Sequence, residues 1–157
     1  MESIPDKHTP VLVIDDDEGL LLSIKATLVS SGLPEPALLS DSRNALELVR
    51  KHSFQLILLD LMMPHLNGME VLKKIKDELP DPECVIVSAS DEVATAVQGM
   101  GLGASDYLVK PLNSEKLIAL VNRILEKHTL RNELERFGRK KIFSELKHAE
   151  AFADLIA

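Results

Sequence analysis

Tryptophan is absent from this sequence, and one tyrosine and four phenylalanines bring the aromatic share to only 3%. A core must therefore be filled almost wholly by aliphatic side chains. Cysteine occurs once, at Cys84, which excludes an internal disulfide framework and fits a reducing compartment such as the cytoplasm. No apolar run approaches the roughly 20 residues that a membrane helix requires, so no span is expected. The first ten residues are mostly polar and include Pro5 and Pro10, so no secretory signal is expected either. An excess of positive charge is also missing. The formal net charge is −7, which argues against nucleic-acid contact by this segment.

What is present suffices for one domain with a sizeable core: 157 residues, 45% of them apolar. Charge is spread unevenly. Residues 1–112 carry 9 Lys and Arg against 18 Asp and Glu, whereas residues 113–157 carry 9 against 7. An acidic globular region followed by a mixed-charge helical tail is expected. The boundaries read as a disordered leader over 1–8, a folded domain over 9–128, and a helical linker over 129–157 toward a missing output domain.

The most informative stretch is Gln55-Leu56-Ile57-Leu58-Leu59-Asp60, followed by Met62, Pro64 and Gly68. A short aliphatic run ended by breakers reads as a strand buried on both faces, with Asp60 at its carboxyl end. Val11–Ile14 and Val85–Val87 read as further buried strands, Tyr107–Val109 as the last strand, and Ala37–Leu39 as a weaker edge strand. Helical spacing predicts helices over about 18–31, 68–79 and from Asn113 onward. Shorter ones follow Asp41 or Ser42 and Asp91, which are expected caps. Gly99, Gly101 and Gly103 make the helix after Asp91 weak and a candidate bistable element. Five strands alternating with five helices give an α/β fold, a parallel sheet covered on both faces. In such sheets ligands bind at the carboxyl ends of the strands.

Four strand ends carry polar groups there: Asp15 and Asp16, Asp60, Ser88, and Lys110. Gathered carboxylates repel one another, and a hard divalent cation such as Mg²⁺ relieves that repulsion. A lysine pairs with one carboxylate at rest or with a phosphoryl group, and a serine hydroxyl donates to a phosphoryl oxygen. Together they suit nucleophilic attack by Asp60 on phosphorus. Each element has a plainer use alone. An Asp pair after a strand complements a helix dipole, Ser88 suits a turn, Lys110 a solvated surface, and Tyr107 a half-buried edge. Their joint placement carries the functional reading. The five histidines are scattered and show no ligand spacing.

These residues resemble the receiver domain of two-component response regulators, of the chemotaxis-regulator-like kind. The matching positions are Asp15-Asp16 after Val11–Ile14, Asp60-Leu61-Met62-Met63-Pro64 with Gly68, Ser88-Ala89, and Tyr107 with Lys110-Pro111. The resemblance covers about residues 9–128. It implies a flavodoxin-like sheet of five parallel strands in the order 2-1-3-4-5, flanked by five helices, with the tail as a helical extension. It further implies that Asp60 accepts a phosphoryl group from a sensor histidine kinase, in a Mg²⁺-dependent reaction. Asp16 would bind the ion directly and Asp15 through water, with Asp60 and the main-chain carbonyl of Met62 completing the ligands. Lys110 and Ser88 would hold phosphoryl oxygens, Tyr107 would be the rotamer switch, and Lys110-Pro111 would be cis. Asp17 adds a third acid that competes for the role of Asp16. The surface formed by the helix after Asp91, the strand through Tyr107 and the helix from Asn113 would change, controlling an output, most commonly transcriptional.

The chain is then a switch rather than an enzyme, with self-catalysed phosphotransfer and autodephosphorylation only. The alternative is a Mg²⁺-dependent phosphohydrolase with an aspartate nucleophile. Those proteins place an acid-base Asp two residues after the nucleophile, where this chain has Met62, which moves no protons. A nucleotide- or flavin-binding module is disfavoured because Asp15-Asp16-Asp17-Glu18 would repel phosphates and lacks cradling glycines. In the tail, Leu130, Leu134 and Phe137 form one apolar stripe, and Ile142, Leu146, Ala149, Ala153 and Ile156 another, with a break expected at Gly138. The spacing predicts a parallel homodimer through residues 113–137, with 139–157 forming a separate helix or docking back.

Overall fold

The central strands form because almost every position in them is aliphatic. The computed structural model describes residues 1–6, 8–64 and 67–156, with side chains described as far as residue 149. In it β2 (Val11–Ile14), β4 (Leu56–Asp60) and β5 (Glu83–Ser88) are buried along nearly their whole length. Successive side chains of a strand point to opposite faces, so a continuous aliphatic strand needs cover on both sides. Val11, Val13, Leu58 and Val85 share one cluster with Leu21 and Leu28 of α1 (Glu18–Ser30) and with Leu117, Val121 and Ile124 of α5 (Ser114–Ile156). Leu12, Ile14, Ile57, Leu59 and Ile86 share the other with Leu48 and Val49 of α2 (Ala45–Lys51) and Val71, Leu72 and Ile75 of α3 (Gly68–Glu78).

With β3 (Ala37–Leu39) and β6 (Asp106–Val109), the five parallel strands run in the order β3-β2-β4-β5-β6, the expected flavodoxin-like arrangement. The register aligns Ile14 with Leu59, Asp60 with Val87, and Ser88 with Val109. Parallel pairing in that register brings the carboxyl ends of β2, β4, β5 and β6 to one edge of the sheet. The Lys110-Pro111 peptide at the end of β6 is cis, as expected.

Several expectations are corrected. Among the described residues the sheet has six strands, because Glu2–Ser3 of the expected disordered leader forms β1, antiparallel to β3. The main-chain N–H of Ser40 donates to the Met1 carbonyl at 3.0 Å and extends this pairing. Ala37–Leu39 is therefore not the edge. An unpaired strand edge offers donors and acceptors to any extended backbone, and two residues are too few to show periodicity in a sequence. Asp91 does not cap α4 (Val93–Gly101); Glu92 takes that position, with no capping bond from its side chain. A methyl group on Gly99 would overlap the side chain of Ile86, so glycine there allows α4 to approach the sheet closely.

The chain divides into two compact units, Met1–Leu125 and Glu126–Ala157. Within the second, the helix is unbroken at Gly138, contrary to expectation. One interior glycine costs about 1 kcal/mol against alanine, which the good helix formers Arg139, Lys140 and Lys141 beside it offset. The side chains of Ala153 and Ile156, expected in the second tail stripe, lie outside the described residues, as do Lys7 and His65. No helix among the described residues is long and apolar enough to cross a membrane.

Candidate functional site

Each site residue owes its place to a strand end. Asp15 follows β2 directly and is held there by its own N–H, which donates to the Leu39 carbonyl at 3.1 Å. Its side chain is buried and bonds at both oxygens: Oδ1 accepts from the Asp17 N–H at 2.9 Å and Oδ2 from Lys110 Nζ at 2.8 Å. Asp60 ends β4, is 4% exposed, and accepts at Oδ1 from the Met62 N–H at 3.2 Å. Lys110 Nζ lies 3.4 Å from Asp60 Oδ2, so one ammonium bridges two carboxylates. The Lys110 N–H donates to the Ser88 carbonyl at 2.8 Å, which ties its backbone to the neighbouring strand end.

Asp16 is exposed beside this pair, and ligand oxygens of Asp15, Asp16 and Asp60 all lie within 4.8 Å of one another. The competing acid, Asp17, is used elsewhere. Its carboxylate accepts from the Leu20 N–H at 3.1 Å and caps α1. Asp60 is likewise no helix cap, since Asn67 caps α3 by accepting from the Met69 N–H at 3.0 Å. Met62 is 69% exposed, and its N–H rather than its carbonyl is what reaches Asp60.

Ser88 is fully buried, and its Oγ accepts from the Ser90 N–H at 3.2 Å. Tyr107 is half-buried, and its hydroxyl donates to the Ser90 carbonyl at 2.7 Å. Ser90 joins Ser88 to Tyr107 through backbone groups, a connection missed in the sequence. The only local signal was the Ser-Ala-Ser spacing, which suits a serine turn. Gly68 is also more than a loop-former. A Cβ there would lie 2.5 Å from Leu61 Cα and 2.6 Å from the Asp60 carbonyl oxygen.

Burial, followed by the charge of Asp15, pushes the Asp60 carboxyl up to about 6; the Met62 N–H and Lys110 only partly oppose this. For Lys110, burial pulls downward, but its hydrogen bond to Asp15 and the charges of Asp15 and Asp60 outweigh it, and the net shift is upward. Two buried carboxylates therefore share one ammonium, with the exposed Asp16 beside them. The donor set is all oxygen, one ligand is open to water, and the uncompensated charge is negative. That set fits a hard divalent cation that keeps part of its water shell, as Mg²⁺ does.

A stability prediction follows. The folded-state value of Asp60 lies above its ordinary 3.8, so the folded state binds more protons between those values. The resulting stabilisation is fully present below about pH 3.8 and is lost as pH rises through about 6. In divalent-free buffer at pH 8, Asp60→Asn is expected to be more stable than the wild type by roughly 1–3 kcal/mol, with the gap closing near pH 4. Denaturant melts with a chelator at both pH values measure this. A destabilised Asn variant at pH 8 would contradict it.

Comparison with known proteins agrees with this geometry. The family model for the response regulator receiver domain matches residues 11–122. The chain is 34% identical to the response regulator MprA of Mycolicibacterium vanbaalenii, over 76% of this chain and 51% of that protein. It is 30% identical to the response regulator ArlR of Staphylococcus saprophyticus, over 83% of this chain and 58% of that protein. It thus spans about half the length of the curated relatives it matches. Among solved structures, the signal receiver domain of a putative Luxo repressor protein from Vibrio parahaemolyticus superposes with a TM-score of 0.75 at 28% identity, covering 82% of this chain and 98% of that one. A CheY-like response regulator receiver domain protein from Methanospirillum hungatei gives 0.72 at 25%, covering 79% and 98%.

Proposed function

This chain belongs to the response regulator receiver domain family, and on that premise we propose that it is a phosphorylation-controlled switch with Asp60 as the acceptor. The observation that carries the reading is the bridging of Asp15 and Asp60 by Lys110 beside an open Asp16. In the proposed step an oxygen of ionised Asp60 attacks the phosphorus of a sensor kinase's phosphohistidine. The P–N bond breaks as the P–O bond forms, and the imidazole nitrogen leaves with a proton from solvent. Lys110, released from one of its two carboxylates, follows the charge onto a phosphoryl oxygen. Ser88 then exchanges its bond with the Ser90 N–H for donation to another oxygen. Mg²⁺, held by Asp16, Asp60, the Met62 carbonyl and, through water, Asp15, would supply positive charge that keeps Asp60 ionised.

Ser90 carries the event outward, since its backbone contacts both Ser88 and the Tyr107 hydroxyl. The surface of α4, β6 and α5 is the proposed readout, acting on an output that is most commonly transcriptional. The partners in this reading, for a chain placed in the cytoplasm, are a sensor histidine kinase and a second copy of the chain joined through the C-terminal helix, with no nucleic acid bound by this segment. A phosphohydrolase is disfavoured by Met62, which stands where such an enzyme needs a proton carrier.

The test is exposure to acetyl phosphate with Mg²⁺. One acid-stable, base-labile phosphoryl group should be gained, and none in the presence of a chelator. For the metal, Asp16→Ala should weaken Mg²⁺ binding by about tenfold or more, because Asp17 is committed to capping α1 and cannot substitute. Calorimetric titration reads this directly. Unchanged affinity would remove Asp16 from the ligand set.

A further inference from the structure

Among the large apolar side chains of the second unit that stand in water, Leu130, Leu134 and Phe137 are 59%, 70% and 69% exposed. Their steps of four and three residues are those of a heptad seam, with Leu130 and Phe137 at d positions and Leu134 at a. We propose that a second copy of this chain covers this stripe in a parallel, in-register pairing. The proposal deepens the homodimer reading above and requires no phosphoryl transfer.

Orientation follows from the charges that flank the stripe. In this frame Glu126, Glu133 and Lys140 fall at g and Arg131, Gly138 and Glu145 at e, so that the outer two g–e pairs are charged at both members and the middle one is not. In a parallel pair a g residue meets the e residue five positions later on the other helix. Glu126 therefore meets Arg131 of the second copy, and Lys140 meets Glu145, with opposite charges in both cases. Arg131 already reaches Glu135 of its own helix at 3.6 Å, and its fork has donors for both. An antiparallel pair cannot match the stripe to itself. Setting Leu134 against Leu130 puts Phe137 opposite Lys127, and setting it against Phe137 puts Leu130 opposite Lys141.

The seam is short. Lys127 and Lys141 occupy the a positions on either side, and their ammonium groups must reach outward to water. Ile142, Phe143 and Leu146 do not continue it. The step from Phe137 to Ile142 turns them onto another face of the helix, where Lys147 Nζ lies over the still exposed Phe143 ring at 4.8 Å from its centre. A weak, concentration-dependent dimer is the consequence.

Sedimentation equilibrium of the full chain tests this, beside Leu134→Lys, Glu126→Arg, and Glu126→Arg combined with Arg131→Glu. The wild type should dimerise with a Kd of about 10–100 μM, and Leu134→Lys should weaken this by roughly tenfold or more. Glu126→Arg should weaken it severalfold, because it faces Arg131 of the second copy, and adding Arg131→Glu should restore it. Circular dichroism checks that helix content is kept. A wild type that remains monomeric to several hundred micromolar overturns the second copy as the occupant. A dimer indifferent to Leu134→Lys places the contact elsewhere, and a double variant that stays weak overturns the parallel register. Acetyl phosphate labelling of the same variants should be unchanged, which separates failure of this seam from failure of the acceptor assignment.

Discussion

Asp60→Asn is expected to reduce phosphoryl uptake from acetyl phosphate to background. The lone pairs of a carboxylate oxygen attack phosphorus, whereas those of an amide are far less nucleophilic. The substitution is nearly isosteric, so loss of labelling would not come from loss of fold. The asparagine oxygen can still accept the Met62 N–H, and Lys110 keeps its 2.8 Å bond to Asp15. The expected gain in stability at pH 8 provides an internal control, because a variant that melts later yet takes up no phosphoryl group has lost chemistry alone. Intact mass spectrometry with Mg²⁺ present is the measurement. Full labelling of the Asn variant would move the acceptor to Asp15 or Asp16.

Gly68→Ala is expected to cost about 1–3 kcal/mol, a fall of several degrees in Tm, although alanine normally favours a helix over glycine. The added methyl would press on the Leu61 Cα and the Asp60 carbonyl oxygen, which are backbone atoms and cannot rotate away. Relief requires the segment between β4 and α3 to shift, and that segment carries the acceptor. Slower phosphoryl uptake should therefore accompany the lost stability. Gly101→Ala is the matching control. It is helical, nothing lies within 4 Å of its added methyl, and a gain of up to about 1 kcal/mol is expected there. Equal effects of the two substitutions would show that the close approach at Gly68 does not constrain the site.

Much of the fold was legible because it rests on local patterns. The aliphatic run from Leu56 to Leu59 had to be buried on both faces wherever the strand lay, and the helical spacing of Leu21, Ile24 and Leu28 required one buried stripe. The acidic and basic groups at the strand ends could be found for the same reason, since each directly follows or ends an apolar run. What escaped notice had no local pattern to show it. β1 is too short for periodicity, and the packing of Gly99 against Ile86 depends on two elements meeting.

By itself, then, the sequence determined an aliphatic α/β sheet and the chemistry available at its carboxyl edge, because hydrophobic period and residue type act over a few neighbouring positions. Only the tertiary structure decided which of three consecutive acids joins Asp60. Asp17 turned into the cap of α1, Asp15 was buried, and Asp16 stayed open to water. It also decided that Lys110 bonds Asp15 at 2.8 Å, across 95 residues of chain, while lying 3.4 Å from Asp60. These choices depend on the register in which parallel strands align, and that register is set by the packing of both faces of the sheet at once.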